Sequence, residues 1–279
     1  MKAKAHFPGR GIDTRRLHQK KMKSTGKNKK AALIRRRDKK MTKTQAYQER
    51  YSTMSRYNAN NLDVSNPAPR CPVVLLLDTS SSMEGAPINE LNKGLKQFIQ
   101  ETSSDEAASR SVEVEIITFD WNAEVVTPFT SISKMNRNQR PLVAEGATSM
   151  GAGIRLALRD LKARRKMYRD NGISCYRPWV ILMTDGEPND DNWEEAAEEM
   201  RALGEHGKIQ YIGIEIGDDV DHDTMCRILP AVPGPVKLKG LRFRQFFRWL
   251  TDSMKSVSAS AVSEQDNVYF REITDWGDL

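Results

Sequence analysis

Asp78-Thr79-Ser80-Ser81-Ser82 places one carboxylate and two hydroxyls at alternate positions of a short segment, so Ser80 and Ser82 can point the same way. Two further segments carry matching chemistry. Glu145-Gly146-Ala147-Thr148-Ser149 offers the Thr148 hydroxyl, and Thr184-Asp185-Gly186 offers a second carboxylate followed by a residue that lets the backbone turn. Asp78, Ser80, Ser82, Thr148 and Asp185 together form an oxygen-only donor set with two formal charges. Such a set suits a hard divalent cation, Mg²⁺ first, with Mn²⁺ or Ca²⁺ as alternatives. Hydroxyls are weak ligands, so the carboxylates supply the charge and a position is left for water or a carboxylate from a partner.

Other chemistries fit these residues less well. A serine nucleophile needs a positioned base. The four histidines are His6, His18, His206 and His222; two lie in a basic arm, and the other two sit near a helix end and a helix start with no matching motif. Two strand-end aspartates also suit phosphoryl transfer, but the phosphate-cradling G-x-x-x-x-G-K-[ST] loop is absent. A Mg²⁺-dependent phosphotransfer or hydrolytic enzyme is therefore the weaker reading of these residues, and a protein that is not an enzyme is the expected one.

The elements that must position these residues follow from periodicity. Val73–Leu77 and Trp179–Met183 are continuous apolar runs, expected of strands buried on both faces of a parallel sheet. Val112–Phe119 and Ile209–Ile216 read as further strands, Ala123–Pro128 as a hairpin partner ending at proline, and Val236–Leu238 as a short strand. Helical spacing runs through Ile88–Glu101, Ser149–Met167, Trp193–Leu203, His222–Leu229 and Arg244–Val257. This alternation predicts an α/β fold with a doubly wound, mostly parallel, Rossmann-like sheet, whose ligand crevice lies outside the carboxyl ends of the strands. Asp78 and Asp185 each follow a predicted strand. Asp120, after another strand, and Glu187 are candidates to support the donor set; a turn-forming role is the plainer reading of Asp120.

D-x-S-x-S-M from Asp78, G-A-T ending at Thr148 and T-D-G around Asp185 resemble the metal-ion-dependent adhesion site of von Willebrand factor A domains. Within that family, Leu75–Ser80 and Arg177–Pro188 look most like bacterial TerY-like proteins associated with tellurium resistance. The resemblance covers about residues 71–257. It implies that Ser80, Ser82 and Thr148 contact the metal, that Asp78 and Asp185 act directly or through water, and that a partner Asp or Glu completes the coordination. It further implies an interaction module in a stress-response, signalling or phage-defence complex, with kinase, phosphatase or defence proteins as partners. No cysteine pair follows the domain, so the zinc-binding extension of some relatives is not expected.

Charge divides the chain. Of 44 Lys+Arg and 37 Asp+Glu, the first seventy residues hold 20 and four, a net +16, and the remainder carries −9. The expected organisation is a basic arm over 1–57, a linker over 58–70 rich in Asn and Pro, a domain over 71–257, and a polar to acidic tail over 258–279, read as a docking peptide or a frayed end. Helical stretches are expected over Asn28–Met41 and Thr42–Tyr57. Arg15, Arg16, Lys20, Lys21, Lys29, Lys30, Arg35, Arg36, Arg37, Lys39 and Lys40 form clusters suited to nucleic acid, another polyanion or an acidic protein. The arm has few aromatics before Tyr47, which argues against base stacking. Glu84, Glu145, Glu187, Asp190, Asp191, Asp218 and Asp219 fall in loops on the predicted metal rim, where a basic surface, the arm included, could dock. Cys71 and Cys175 precede neighbouring strands and read as free thiols. No apolar run reaches the ~20 residues of a membrane span, and no secretory apolar core opens the chain. With three dispersed cysteines, these features point to the cytoplasm.

Overall fold

The computed structural model describes residues 61–136, 138–218, 220–262 and 276–278. The arm residues and both helices expected there lie outside the described residues. The body forms one seven-stranded sheet, in the order β3-β2-β1-β4-β5-β6-β7. The strands are β1 (Cys71–Asp78), β2 (Val112–Phe119), β3 (Ala123–Ser131), β4 (Trp179–Thr184), β5 (Gln210–Glu215), β6 (Pro235–Leu238) and β7 (Gly277–Asp278). The helices are α1 (Ala86–Ser103), α2 (Glu106–Ser111), α3 (Met150–Asp170), α4 (Trp193–Glu205), α5 (His222–Ile228) and α6 (Phe243–Ala259). The expected doubly wound α/β architecture is therefore observed. Pairing is parallel through β2-β1-β4-β5-β6 and antiparallel only at the two edges.

Each residue of β1, Cys-Pro-Val-Val-Leu-Leu-Leu-Asp, is buried, because helices cover both sheet faces. Alternate side chains divide the labour. Val73, Leu75 and Leu77 join α1 and α6 through Leu91, Phe98, Phe247 and Leu250 in one apolar core. Leu76 faces α3, whose Gly153 approaches so closely that an added Cβ would lie 2.9 Å from Leu76 Cδ1. The aromatic stripe of α6 is thus core: Phe246 and Trp249 pack against Trp276, at ring-centroid separations of 5.0 and 5.2 Å.

Two expectations change at the sheet's edges, and one helix appears that periodicity did not predict. β3 does not stop at Pro128 but runs to Ser131, because it is an edge strand with a register irregularity near the proline. The short helix α2 has no apolar periodicity of its own and starts where the Asp105 carboxylate accepts the Ala108 N–H at 2.9 Å. At the other end of the chain, Trp276 is buried and Gly277–Asp278 adds a strand to the free edge of β6.

The amino end of the sheet holds a buried ionic group. Arg70, just before β1, lies 3.5 Å from Glu113 of β2 through Nε. Arg164 of α3 reaches the other oxygen of Glu113 at 2.6 Å, and the Tyr168 hydroxyl donates to that oxygen. Arg70 also donates to the carbonyls of Asp63 and Asn66 at 2.8 and 2.9 Å, which ties residues 63–70 to the domain. Cys71 and Cys175 are free thiols near this end. Burial pushes the Cys175 thiol up to about 12.

Candidate functional site

Strand order reverses between β1 and β4. β1 leads to β2 on one side, while the chain later returns to lay β4 on the other. Asp78 ends β1 and Asp185 immediately follows β4, so both stand at the topological switch point, where open α/β sheets place their ligands.

Asp78 is fully buried. One oxygen accepts the Ser80 N–H at 2.8 Å and the other accepts the Thr184 hydroxyl at 2.6 Å. Burial pushes its pKa up to about 6; the bonds from Ser80 and Thr184 oppose that rise, and the nearby Asp185 charge adds to it. Asp185 is half-buried and is also raised, again mainly by burial, with Ser82 bonding against the shift. The hydroxyls bridge the two loops: Ser80 Oγ lies 2.9 Å from Ser82 Oγ, which donates to Asp185 Oδ1 at 2.7 Å. Thr148 is buried on the third loop, its Oγ1 3.7 Å from where a Cβ on Gly186 would stand. The five residues from separate parts of the sequence therefore converge on one end of the sheet.

Backbone bonds hold the loops in place. Glu145 N–H donates to Thr79 O at 2.8 Å, and Ser81 N–H donates to Gly146 O at 3.2 Å. Thr148 exchanges bonds with Asn189: its N–H donates to Asn189 Oδ1, and Asn189 N–H donates to Thr148 O, both at 3.1 Å. Asp190 caps α3, accepting Gly151 N–H at 2.9 Å and Ala152 N–H at 2.8 Å, and pairs with Arg155 at 3.1 Å. That contact depends on glycine at 151, where an added Cβ would lie 2.6 Å from Trp193 Cα.

Asp120 makes the turn after β2: its Oδ1 accepts Asn122 N–H at 3.2 Å and its carbonyl accepts Ser149 N–H at 2.9 Å. Glu187 is exposed on the loop after Asp185. Two of the rim acids carry cations of their own, Asp190 with Arg155 and Asp218 with Lys237 at 2.7 Å; Asp219 lies outside the described residues. Sequence reasoning missed Asn189, the bond from Thr184 to Asp78, and the capping role of Asp190, which it placed only among the rim acids. Thr184 sits beside Asp185 and was within reach, whereas Asp190 caps a helix that begins forty residues earlier, which no local spacing reveals.

Adjacent ligands of an octahedral Mg²⁺ at 2.0–2.1 Å stand about 2.9 Å apart. The Ser80–Ser82 and Ser82–Asp185 separations of 2.9 and 2.7 Å match that edge. Among the described residues no group of three or more His, Cys, Asp or Glu side chains could hold a metal, so a cation here would depend on the hydroxyls as much as on the carboxylates. The residues present fit a small, hard divalent ion.

The von Willebrand factor type A domain model matches residues 73–235, more than half of the chain. The chain belongs to the von Willebrand factor type A domain family. The solved structures it resembles are distant in sequence. A von Willebrand factor type A protein from Catenulispora acidiphila is 20% identical with a TM-score of 0.53, covering 67% of this chain and 43% of that one. The pilus adhesin SpaC from Lactobacillus rhamnosus GG, in its open conformation, is 14% identical with a TM-score of 0.53, covering 67% and 30%. This chain thus spans less than half the length of either, and the likeness is one of fold. No curated protein matches. A domains are commonly protein-interaction modules and often bind a divalent metal. Among the described residues, no helix is long and apolar enough to cross a membrane.

Proposed function

We propose that this A domain is a non-enzymatic, metal-dependent protein-interaction module. Ser80, Ser82 and Thr148 hold Mg²⁺, with Asp78 and Asp185 supplying the charge directly or through water, and a partner's Asp or Glu completes the coordination. Mn²⁺ or Ca²⁺ can replace Mg²⁺ on the same oxygens. The observation that carries this reading is the chain of oxygens from Ser80 Oγ through Ser82 Oγ to Asp185 Oδ1 at octahedral-edge spacing, beside the buried carboxylate of Asp78. A cation on this edge offsets the carboxylate charge that burial disfavours.

The resemblance of Leu75–Ser80 and Arg177–Pro188 to TerY-like proteins supports a cytoplasmic adaptor in a bacterial stress-response, signalling or phage-defence complex, with a kinase, phosphatase or defence protein as partner. The deciding experiment is isothermal titration of the full chain with Mg²⁺, followed by co-purification of the partner with and without EDTA. Asp78→Ala should abolish both Mg²⁺ binding and the EDTA-sensitive association. Partner binding that survives both the substitution and EDTA would overturn the metal bridge.

A second reading rests on the +16 of residues 1–70: the arm binds nucleic acid or another polyanion and the domain recruits a second factor. Deleting residues 1–57 should then weaken binding to duplex DNA and flatten its salt dependence. An unchanged, salt-insensitive affinity would end this reading.

A further inference from the structure

One strand beyond the cation site, the same rim carries a second chemical set. Glu215 ends β5, in register with Thr184 of β4. Its side chain is 5% exposed, and Oε1 lies 2.8 Å from Nδ1 of His222, the first residue of α5. The other ring nitrogen, Nε2, lies 3.5 Å from Sγ of Cys226, one helical turn further on. In the neutral tautomer that donates Nδ1–H to the Glu215 carboxylate, the Nε2 lone pair faces the sulfur.

This arrangement has the form of a metal-ligand pair. Histidines that bind metals are ordinarily oriented by a carboxylate behind the ring, the place Glu215 occupies. A tetrahedral ion with sulfur at ~2.3 Å and nitrogen at ~2.05 Å holds the two donors about 3.5 Å apart, the separation found. The carboxylates of Glu215 and Asp223 lie near enough to act on the Cys226 sulfur, and their charge would be offset by a cation bound there. Cys226 also opens on a cleft of about 430 Å³ between α4 and α5, lined by Trp193, Ala197, Arg201 and Arg227, so the sulfur can be reached from outside.

We propose that His222 and Cys226 form a two-donor site for a borderline-soft divalent ion such as Zn²⁺, with Glu215 positioning the imidazole and the remaining coordination left to water or to a side chain of a bound protein. The rim then holds a hard oxygen site and a softer nitrogen–sulfur site side by side. Neither Asp78 nor Asp185 takes part, so failure of the Mg²⁺ reading leaves this one standing.

The test is titration of the full-length chain with Co²⁺ in excess Mg²⁺. A thiolate-to-cobalt charge-transfer band in the near ultraviolet should grow to one equivalent and be displaced by Zn²⁺. Cys226→Ser, at an exposed position, should remove the band while circular dichroism stays unchanged. His222→Ala should weaken Co²⁺ binding at least tenfold and Glu215→Gln by roughly tenfold, while Asp78→Ala leaves the band intact. Absence of the band in the folded wild-type chain, or a band that survives Cys226→Ser and so belongs to Cys71 or Cys175, overturns the proposal.

Discussion

The two ends of the sheet treat their acids in opposite ways. At the amino end, Glu113 is buried with Arg70, Arg164 and Tyr168 around it, so the charge is matched within the fold. At the carboxyl end, the hydrogen bonds to Asp78 and Asp185 come from hydroxyls and an amide: Ser80, Ser82 and Thr184. Burial therefore raises both aspartates. A carboxylate balanced by its own guanidinium groups serves the architecture. One held by hydroxyls and a backbone amide retains a demand for positive charge that an ion can meet.

Breaking each end should separate the two roles. Glu113→Ala has the largest expected effect, a loss of about 3–5 kcal/mol in urea unfolding, because it strands two buried arginines. Asp78→Asn in metal-free buffer should cost no stability, since it removes a buried charge and keeps an amide that can bond Ser80 and Thr184. Equal losses from the two substitutions would erase the contrast. Next in size, Mg²⁺ at one hundred times its dissociation constant should stabilise the wild-type chain by about 2.7 kcal/mol in thermal melts, and Asp78→Asn should abolish that gain. Ser82→Ala should weaken Mg²⁺ binding by roughly tenfold, about 1.4 kcal/mol, measured calorimetrically, because it removes the hydroxyl joining Ser80 to Asp185. Smallest of all, Asp120→Asn should change stability by less than about 0.5 kcal/mol and leave Mg²⁺ affinity within twofold, as expected of a turn residue whose amide oxygen can still accept from Asn122.

Strands β1 and β4 were legible because each is buried on both faces and leaves an uninterrupted apolar run, Val73–Leu77 and Trp179–Met183. The long helices were legible because each buries one stripe against the sheet. Edges were not. Pro128 signals a stop in any local reading, yet β3 passes through it, since an edge strand can leave one side of its ladder unpaired. Trp276 and Gly277 lie in a polar tail, and their burial depends on the free edge of β6, which no nearby residue announces. The pairing of Glu215 with His222 and Cys226 was missed for a similar reason: the carboxylate comes from a strand and the two donors from the next helix, so no single motif contains them.

The donor types of the rim, two carboxylates and three hydroxyls at strand ends and helix starts, were set by the sequence alone, because a strand followed by D-x-S-x-S or T-D-G has few places to put those side chains. The tertiary structure decided which of them meet. Strand order brought Asp78 beside Asp185, Ser82 bridged the two loops, and Asn189 and Asp190 anchored the third. Convergence of this kind depends on contacts between segments a hundred residues apart, and only the packed sheet, through its register and helix cover, brings them within hydrogen-bonding distance.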